Sequence, residues 1–132
     1  MMRKIFVCLV GMLCFDGCEV PKPSDFEGSY SFRSDEVQET LDLKPNGAFA
    51  QKLTIDGNTF TAVGEWVIEK PRGIKLRDFL VRFDTSSGKT IKPPQKYGAY
   101  IGYWNPQRRR IVFDDEGKYF LDRAAVGEKS SR

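Results

Sequence analysis

The feature that most constrains the fold of this chain is a series of turn signals between short runs of alternating apolar and polar residues. Asn46-Gly47, Asp56-Gly57 and the segment 71–73 (Pro-Arg-Gly) stand at such places. Asn-Gly, Asp-Gly and Pro-x-Gly between segments of period two are strong local signals for β-hairpins. Alternation places every second side chain on the same face of a strand. The pattern therefore predicts consecutive antiparallel hairpins.

Counting the alternating runs gives eight predicted strands. They cover residues 28–33, 37–43, 48–55, 62–69, 74–83, 97–104, 110–114 and 118–122. No segment shows a sustained helical period, and the run 74–83 changes phase near Asp78, where we expect a bend or bulge. The segment 84–96 is interpreted as a long connection. An open meander of eight strands leaves two exposed edges, and closure removes them. The sequence thus predicts an all-β fold, a small antiparallel up-and-down β-barrel over residues 27–124.

The N-terminal segment 1–17 is interpreted as a signal peptide. Ile5–Phe15 is a run of eleven uncharged residues after Arg3-Lys4, which suits a secretory signal and is short of the about 20 residues that span a membrane. Gly17-Cys18 resembles a bacterial lipobox, in which a small residue precedes the cysteine that takes a diacylglyceryl group. We therefore predict lipidation of Cys18. Secretion without lipid and an uncleaved anchor are the alternatives.

Residues 18–26 are predicted to be a tether and residues 125–132 a C-terminal tail. Pro21 and Pro23 favour an extended backbone in the tether. A plain N-terminal tail explains the composition equally well. With a lipid on Cys18 the protein is expected in the bacterial cell envelope, anchored in the periplasm or at the outer membrane, and otherwise it is secreted.

Composition excludes several classes of chemistry. All three cysteines lie in the first 18 residues and the chain contains no histidine. The predicted barrel can therefore form no disulfide or thiolate metal site, and it lacks the commonest general base. The charge is nearly balanced, with 21 basic and 18 acidic residues, which does not suggest a nucleic-acid binder. Phosphate loops, nucleophile elbows and metal-ligand spacings are absent from the sequence. We expect no cofactor, no metal and no catalysis.

Several short motifs resemble the pattern of small bacterial lipocalin-like lipoproteins. They are Gly28-x-Tyr30, Leu41-x-Leu43-x-x-Asn46-Gly47-x-Phe49, Gly64-x-Trp66 and Ile74-x-Leu76. The resemblance covers the first five predicted strands, roughly half of the mature chain, and implies a lipocalin-like barrel. Lipocalins proper carry Gly-x-Trp in the first strand, whereas here it falls in the fourth.

The stretch 97–104 (Tyr-Gly-Ala-Tyr-Ile-Gly-Tyr-Trp) is the most distinctive candidate site. Its alternation puts Tyr100 and Trp104 on one face together with Gly98 and Gly102, and places the other tyrosines on the opposite face. Aromatic rings beside glycines suit a stacking platform for a sugar ring or lipid tail. Alternatively, the glycines let the strand coil while the aromatics fill the core. The candidate ligand-binding residues are Trp66, Tyr97, Tyr100, Tyr103 and Trp104.

Arg108, Arg109 and Arg110 form a second candidate site, for an anionic group or an acidic partner. The alternative is a solvated hairpin whose arginines are offset by the acidic segment 114–116, with exposed pairs worth ~0–1 kcal/mol each. The segment 114–117 (Asp-Asp-Glu-Gly) lacks the alternating ligand spacing of a calcium loop.

The leading functional hypothesis is an exported, lipid-anchored, non-catalytic barrel that binds an apolar or amphipathic small ligand. The second hypothesis is a protein–protein interaction module of the envelope, such as an inhibitor, immunity or assembly accessory protein. Its contact surface would be the segment 84–96 or the turn at Arg108–Arg110. Besides the membrane, the expected partner is thus a small ligand or an envelope protein.

Overall fold

The computed structural model describes residues 22–124, which form one short helix and ten β-strands. Helix α1 spans Pro23–Phe26. The strands are β1 (Gly28–Arg33), β2 (Val37–Leu43), β3 (Ala48–Ile55), β4 (Asn58–Glu69), β5 (Gly73–Leu76), β6 (Phe79–Asp84), β7 (Lys89–Tyr97), β8 (Tyr100–Asn105), β9 (Arg110–Val112) and β10 (Phe120–Arg123). The predicted signal peptide, Cys18 and the predicted C-terminal tail lie outside the described residues.

Eight of these strands form a closed antiparallel barrel in the order β1-β10-β9-β8-β5-β4-β3-β2. Strand β1 closes the barrel, because it pairs with β2 along one edge and with β10 along the other, where Tyr30 faces Arg123. Barrel strands that are consecutive along the chain, leaving out β6 and β7, are also neighbours in the sheet, as in an up-and-down meander. The predicted all-β fold and the small antiparallel barrel of about eight strands are confirmed.

Strands β6 and β7 form a separate two-stranded hairpin, inserted between the barrel strands β5 and β8. The chain turns away from β5 at Asp78, which has a φ of 65°. The change of direction expected there is present, but it divides the predicted run 74–83 into two strands of different sheets.

The prediction of a long connection over residues 84–96 is wrong. Only residues 85–88 form the turn, and β7 follows directly. Pro93 and Pro94 argued against a strand here, because proline donates no hydrogen bond to a β-ladder and is therefore rare in strands. Strand β7 accommodates them because it lies at an edge, with β6 as its one partner in the described part of the chain.

The barrel interior is packed with side chains, and part of it is occupied by β6. Phe79 is fully buried, stacks on the Tyr100 ring at 5.7 Å between centroids, and meets the Phe49 ring edge-on at 6.2 Å. Helix α1 adds Phe26, which is 2% exposed and accepts a hydrogen bond from the Tyr30 hydroxyl at its carbonyl. The last residue of the segment predicted as a tether is thus packed in the core.

Candidate functional site

Strand β8 carries most of the aromatic candidates, and its alternation follows the predicted faces. Tyr100, Gly102 and Trp104 point toward the interior, whereas Ile101 and Tyr103 lie on the outer surface, 37% and 50% exposed. Gly102 is required on the inner face, since an added Cβ would lie 2.6 Å from Ile111 Cγ2. The glycine therefore serves close packing at this position.

Trp66 and Tyr100 belong to the core. The Trp66 indole is 4% exposed and donates from Nε1 to the Lys44 carbonyl at 3.0 Å. Tyr100 lies between the buried Phe79 ring and the exposed Tyr97, whose ring centroid is 5.3 Å away. Burial raises the pKa of the Tyr100 hydroxyl. The five aromatic candidates therefore do not share one surface.

Trp104 sits at the end of the barrel where α1 enters. Its ring meets those of Phe26 and Tyr30 edge-on, at 6.4 and 6.5 Å between centroids. The Arg123 guanidinium lies 5.7 Å from the same ring. Trp104 is therefore partly buried against the core while one side of it reaches the outside.

The three candidate arginines have different environments. Arg108 and Arg109 are exposed in the turn 106–109, where the Asn105 side chain accepts the Arg108 backbone N–H at 3.0 Å. Arg110 lies in β9, donates from Nε to Asp122 at 2.8 Å, and its guanidinium lies 3.7 Å from the Phe120 ring centroid. Arg108 is thus available to a ligand, whereas Arg110 is held in place.

A groove of about 670 Å³ on the outside of the barrel brings four of the predicted residues together. We call it the rim groove, and it is lined by Arg72, Tyr103, Trp104, Asn105, Pro106, Gln107, Arg108, Arg110, Val112, Asp115, Glu116 and Gly117. The four are Tyr103, Trp104, Arg108 and Arg110. Trp66, Tyr97, Tyr100 and Arg109 do not line it.

Arg72 is a groove residue that the sequence analysis missed. The turn that contains Arg72 was predicted. Its proximity to Trp104, however, depends on the pairing of β5 with β8, two strands that the inserted hairpin separates in the sequence. The Trp104 N–H donates to the Arg72 carbonyl at 2.9 Å. No local pattern signals this pairing.

A buried polar cluster between the barrel and β6 was likewise not predicted from the sequence. Glu39 accepts from Arg82 Nε at 2.5 Å and from Gln51 Nε2 at 2.8 Å. The Gln51 amide also bonds both the N–H and the C=O of Leu80, at 2.9 and 2.8 Å. Burial raises the pKa of the Glu39 carboxyl, while Arg82 and Gln51 oppose that rise. The one available signal was that Glu39 and Gln51 fall in phase with inward-facing apolar residues.

Aromatic rings enclose the guanidinium of this cluster. Arg82 Cζ lies 4.2 Å from the Phe32 ring centroid and 4.5 Å from that of Tyr119. The Tyr119 hydroxyl is buried and has no hydrogen-bond partner among the described residues, and burial raises its pKa well above the ordinary range. These contacts fix β6 in the barrel.

Within residues 22–124, no group of three or more acidic, histidine or cysteine side chains is placed to hold a metal ion. Asp114, in the acidic turn, accepts hydrogen bonds from the backbone N–H groups of Tyr119 and Lys118 at 2.9 and 3.2 Å. In the same part of the chain, no helix is both long and apolar enough to cross a membrane.

Comparison of the chain with protein-family models, with curated proteins and with solved structures gives no match.

Proposed function

We propose that the protein is an exported, lipid-anchored, non-catalytic barrel that binds an amphipathic small ligand in the rim groove. The observation that carries this proposal is the groove's lining, in which Tyr103 and Trp104 lie beside Arg108. Three arginines line the groove against the two carboxylates of Asp115 and Glu116. Aromatic rings provide apolar contact area, and an arginine binds carboxylate or phosphate through paired N–H groups. The best-matched ligand has an apolar ring or chain and an acidic group.

The packing of the barrel supports an external ligand site. Phe79 and Val81 of β6 are 0% and 2% exposed within the barrel, so this volume is already filled. Tyr103, in contrast, is half-exposed beside the groove. A ligand reaches the groove without displacing a strand.

Titration with the amphipathic sulfonate 1-anilinonaphthalene-8-sulfonate, followed by its fluorescence, tests the groove. Tyr103→Ala and Arg108→Gln should each weaken binding roughly tenfold or more, as expected for a lost stacking contact or charge-assisted hydrogen bond. Tyr97→Ala is the matched control, because Tyr97 is similarly exposed (41%) and lies outside the groove. Equal weakening in all three variants, or no binding by the folded protein, would refute the proposal.

The lipid anchor is tested separately by the intact mass of the protein purified from its own membrane fraction. We expect a chain that begins at Cys18 and carries acyl mass, because Gly17 precedes that cysteine. A chain that begins elsewhere without lipid would show a secreted protein and would leave the groove proposal standing.

A protein–protein interaction module of the envelope is the second candidate function. The observation that favours it is the hairpin β6–β7, whose strand β7 is mostly exposed and has a free edge in the described structure. Affinity capture from an envelope extract should then recover a stoichiometric partner, and shortening the turn 85–88 should abolish its capture. Retention of the partner by the shortened protein would count against a hairpin interface.

A further inference from the structure

The turns at the two ends of the barrel differ in charge. At one end lie the turns 44–47, 70–72 and 106–109, which join β2 to β3, β4 to β5 and β8 to β9. These three turns contain no acidic residue and five exposed basic ones: Lys44, Lys70, Arg72, Arg108 and Arg109. We call this the basic end. The turns 34–36, 56–57 and 113–119 at the opposite end hold six acidic residues and one lysine.

The five basic residues of the basic end form no ion pair with the described side chains. Ion pairs in residues 22–124 involve Arg82, Lys92, Arg110 and Lys118, so none of the five has a carboxylate within 4.0 Å among the described residues. At the opposite end, Lys92 of the hairpin pairs with Glu36 and Asp56 at 2.6 and 2.8 Å. Asp115 and Glu116 share the rim groove with Arg72 and Arg108 and offset part of their charge. The positive excess of the basic end is therefore carried mainly by Lys44, Lys70 and Arg109.

The chain enters the barrel at this same end. Helix α1 leads through Glu27 into the first residue of β1. The two acidic residues of this segment, Asp25 and Glu27, are matched in number by Lys22 and Arg123, whose guanidinium bonds the carbonyls of both. Cys18 lies four positions before Lys22 in the sequence, and four residues span at most about 14 Å. That reach is less than two Debye lengths of about 8 Å at physiological ionic strength. A lipid on Cys18, as proposed above, would thus hold the basic end where headgroup charge is still felt.

We propose that the basic end docks on the surface of an anionic lipid bilayer, with the opposite end directed away from the membrane. The inference rests on the proposed anchor for its geometry and on the charge distribution for its chemistry. An acidic protein is a less suitable partner, because the short reach from Cys18 favours a flat surface that lies next to the anchor.

Binding of the full chain to two kinds of vesicle tests this surface. One kind is pure phosphatidylcholine and the other contains about a third phosphatidylglycerol, and the readout is the ratio of the two partition coefficients. Each basic residue near an anionic surface contributes about fivefold. Lys44→Gln with Lys70→Gln should therefore lower the ratio about 30-fold. Neither lysine lines the rim groove, so dye binding there should be unchanged.

The matched control is Lys89→Gln with Lys96→Gln, which removes the same charge from exposed positions away from the basic end that form no ion pair among the described residues. Its ratio should stay within about twofold of the unmodified chain, because these charges lie farther from the surface than a Debye length. An equal drop in both double variants would overturn the docking geometry, since it would reflect net charge alone. No preference of the unmodified chain for anionic vesicles would overturn the bilayer as partner and point to an acidic protein.

Discussion

Replacing Arg82 by methionine tests whether the buried pair with Glu39 organises the barrel interior. The two side chains are 4% and 0% exposed. Without the guanidinium, Glu39 keeps the Gln51 amide as a donor but loses its counter-charge. Removing one partner of a buried ion pair costs about 3–5 kcal/mol. The loss of the guanidinium contacts with the Phe32 and Tyr119 rings adds about 0.5–2 kcal/mol.

The pH dependence of this loss identifies its cause. Burial raises the pKa of Glu39, and in Arg82→Met no cation opposes that rise. A carboxyl with a folded-state pKa above its unfolded value of about 4.3 binds protons more tightly in the folded state. Stability of the variant should therefore increase as pH falls from 7 toward about 5, while Glu39 becomes neutral.

The assay is urea unfolding between pH 5 and 8 for the unmodified protein, Arg82→Met and the double variant Arg82→Met with Glu39→Gln. We expect the single variant to lose about 3.5–7 kcal/mol at pH 7, a large share of the 5–15 kcal/mol typical of domains. The double variant should recover part of that loss at pH 7 and show little pH dependence from this site. The reasoning is refuted if the double variant is no more stable than the single one, or if the single variant's deficit does not change with pH.

Two further predictions concern the core. Gly102→Ala should lower the free energy of unfolding by about 1–3 kcal/mol, since the added methyl would lie only 2.6 and 2.7 Å from neighbouring side chains. Gly98→Ala, at an open position, is the control and should change it by less than about 0.5 kcal/mol. Similar losses in both variants, measured by urea unfolding, would contradict the packing argument. Burial raises the pKa of Tyr30 to about 12, so the unfolded state, with a pKa of about 10, ionises first. The free energy of unfolding should fall by about 2 kcal/mol between pH 10 and 12. Tyr30→Phe should reduce that fall, and an unchanged slope in alkaline urea titrations would show that other groups cause it.

The barrel could be predicted because its hairpins are local. β1, β2 and β3 have the bounds that alternation and the intervening turns indicate. The inward and outward faces of the aromatic residues in β8 could also be predicted, because successive side chains of a strand point to opposite faces. Each of these inferences uses residues within about ten positions of one another, where turn chemistry determines the pairing.

The features that escaped prediction depend on contacts between distant segments. Glu39 and Arg82 are 43 positions apart, and each taken alone resembles a charged residue on a solvated face. Strand β7 was hidden because Pro93 and Pro94 are typical of a loop, and only its position at an edge makes them compatible with a strand.

The inserted hairpin links the packed interior to the external groove. Because the hairpin β6–β7 is not part of the barrel sheet, β5 and β8 pair directly with each other. Beside this pairing, the Trp104 N–H donates to the Arg72 carbonyl. That pairing sets Arg72 beside the turn that carries Arg108 and so completes the rim groove. The same insertion directs Phe79 and Arg82 of β6 into the interior, where aromatic and polar contacts hold them. Since the barrel volume is occupied by its own strand, the outer rim is the surface that the proposed function assigns to a small ligand, with the exposed ring of Tyr103 beside Arg108, which has no ion pair among residues 22–124.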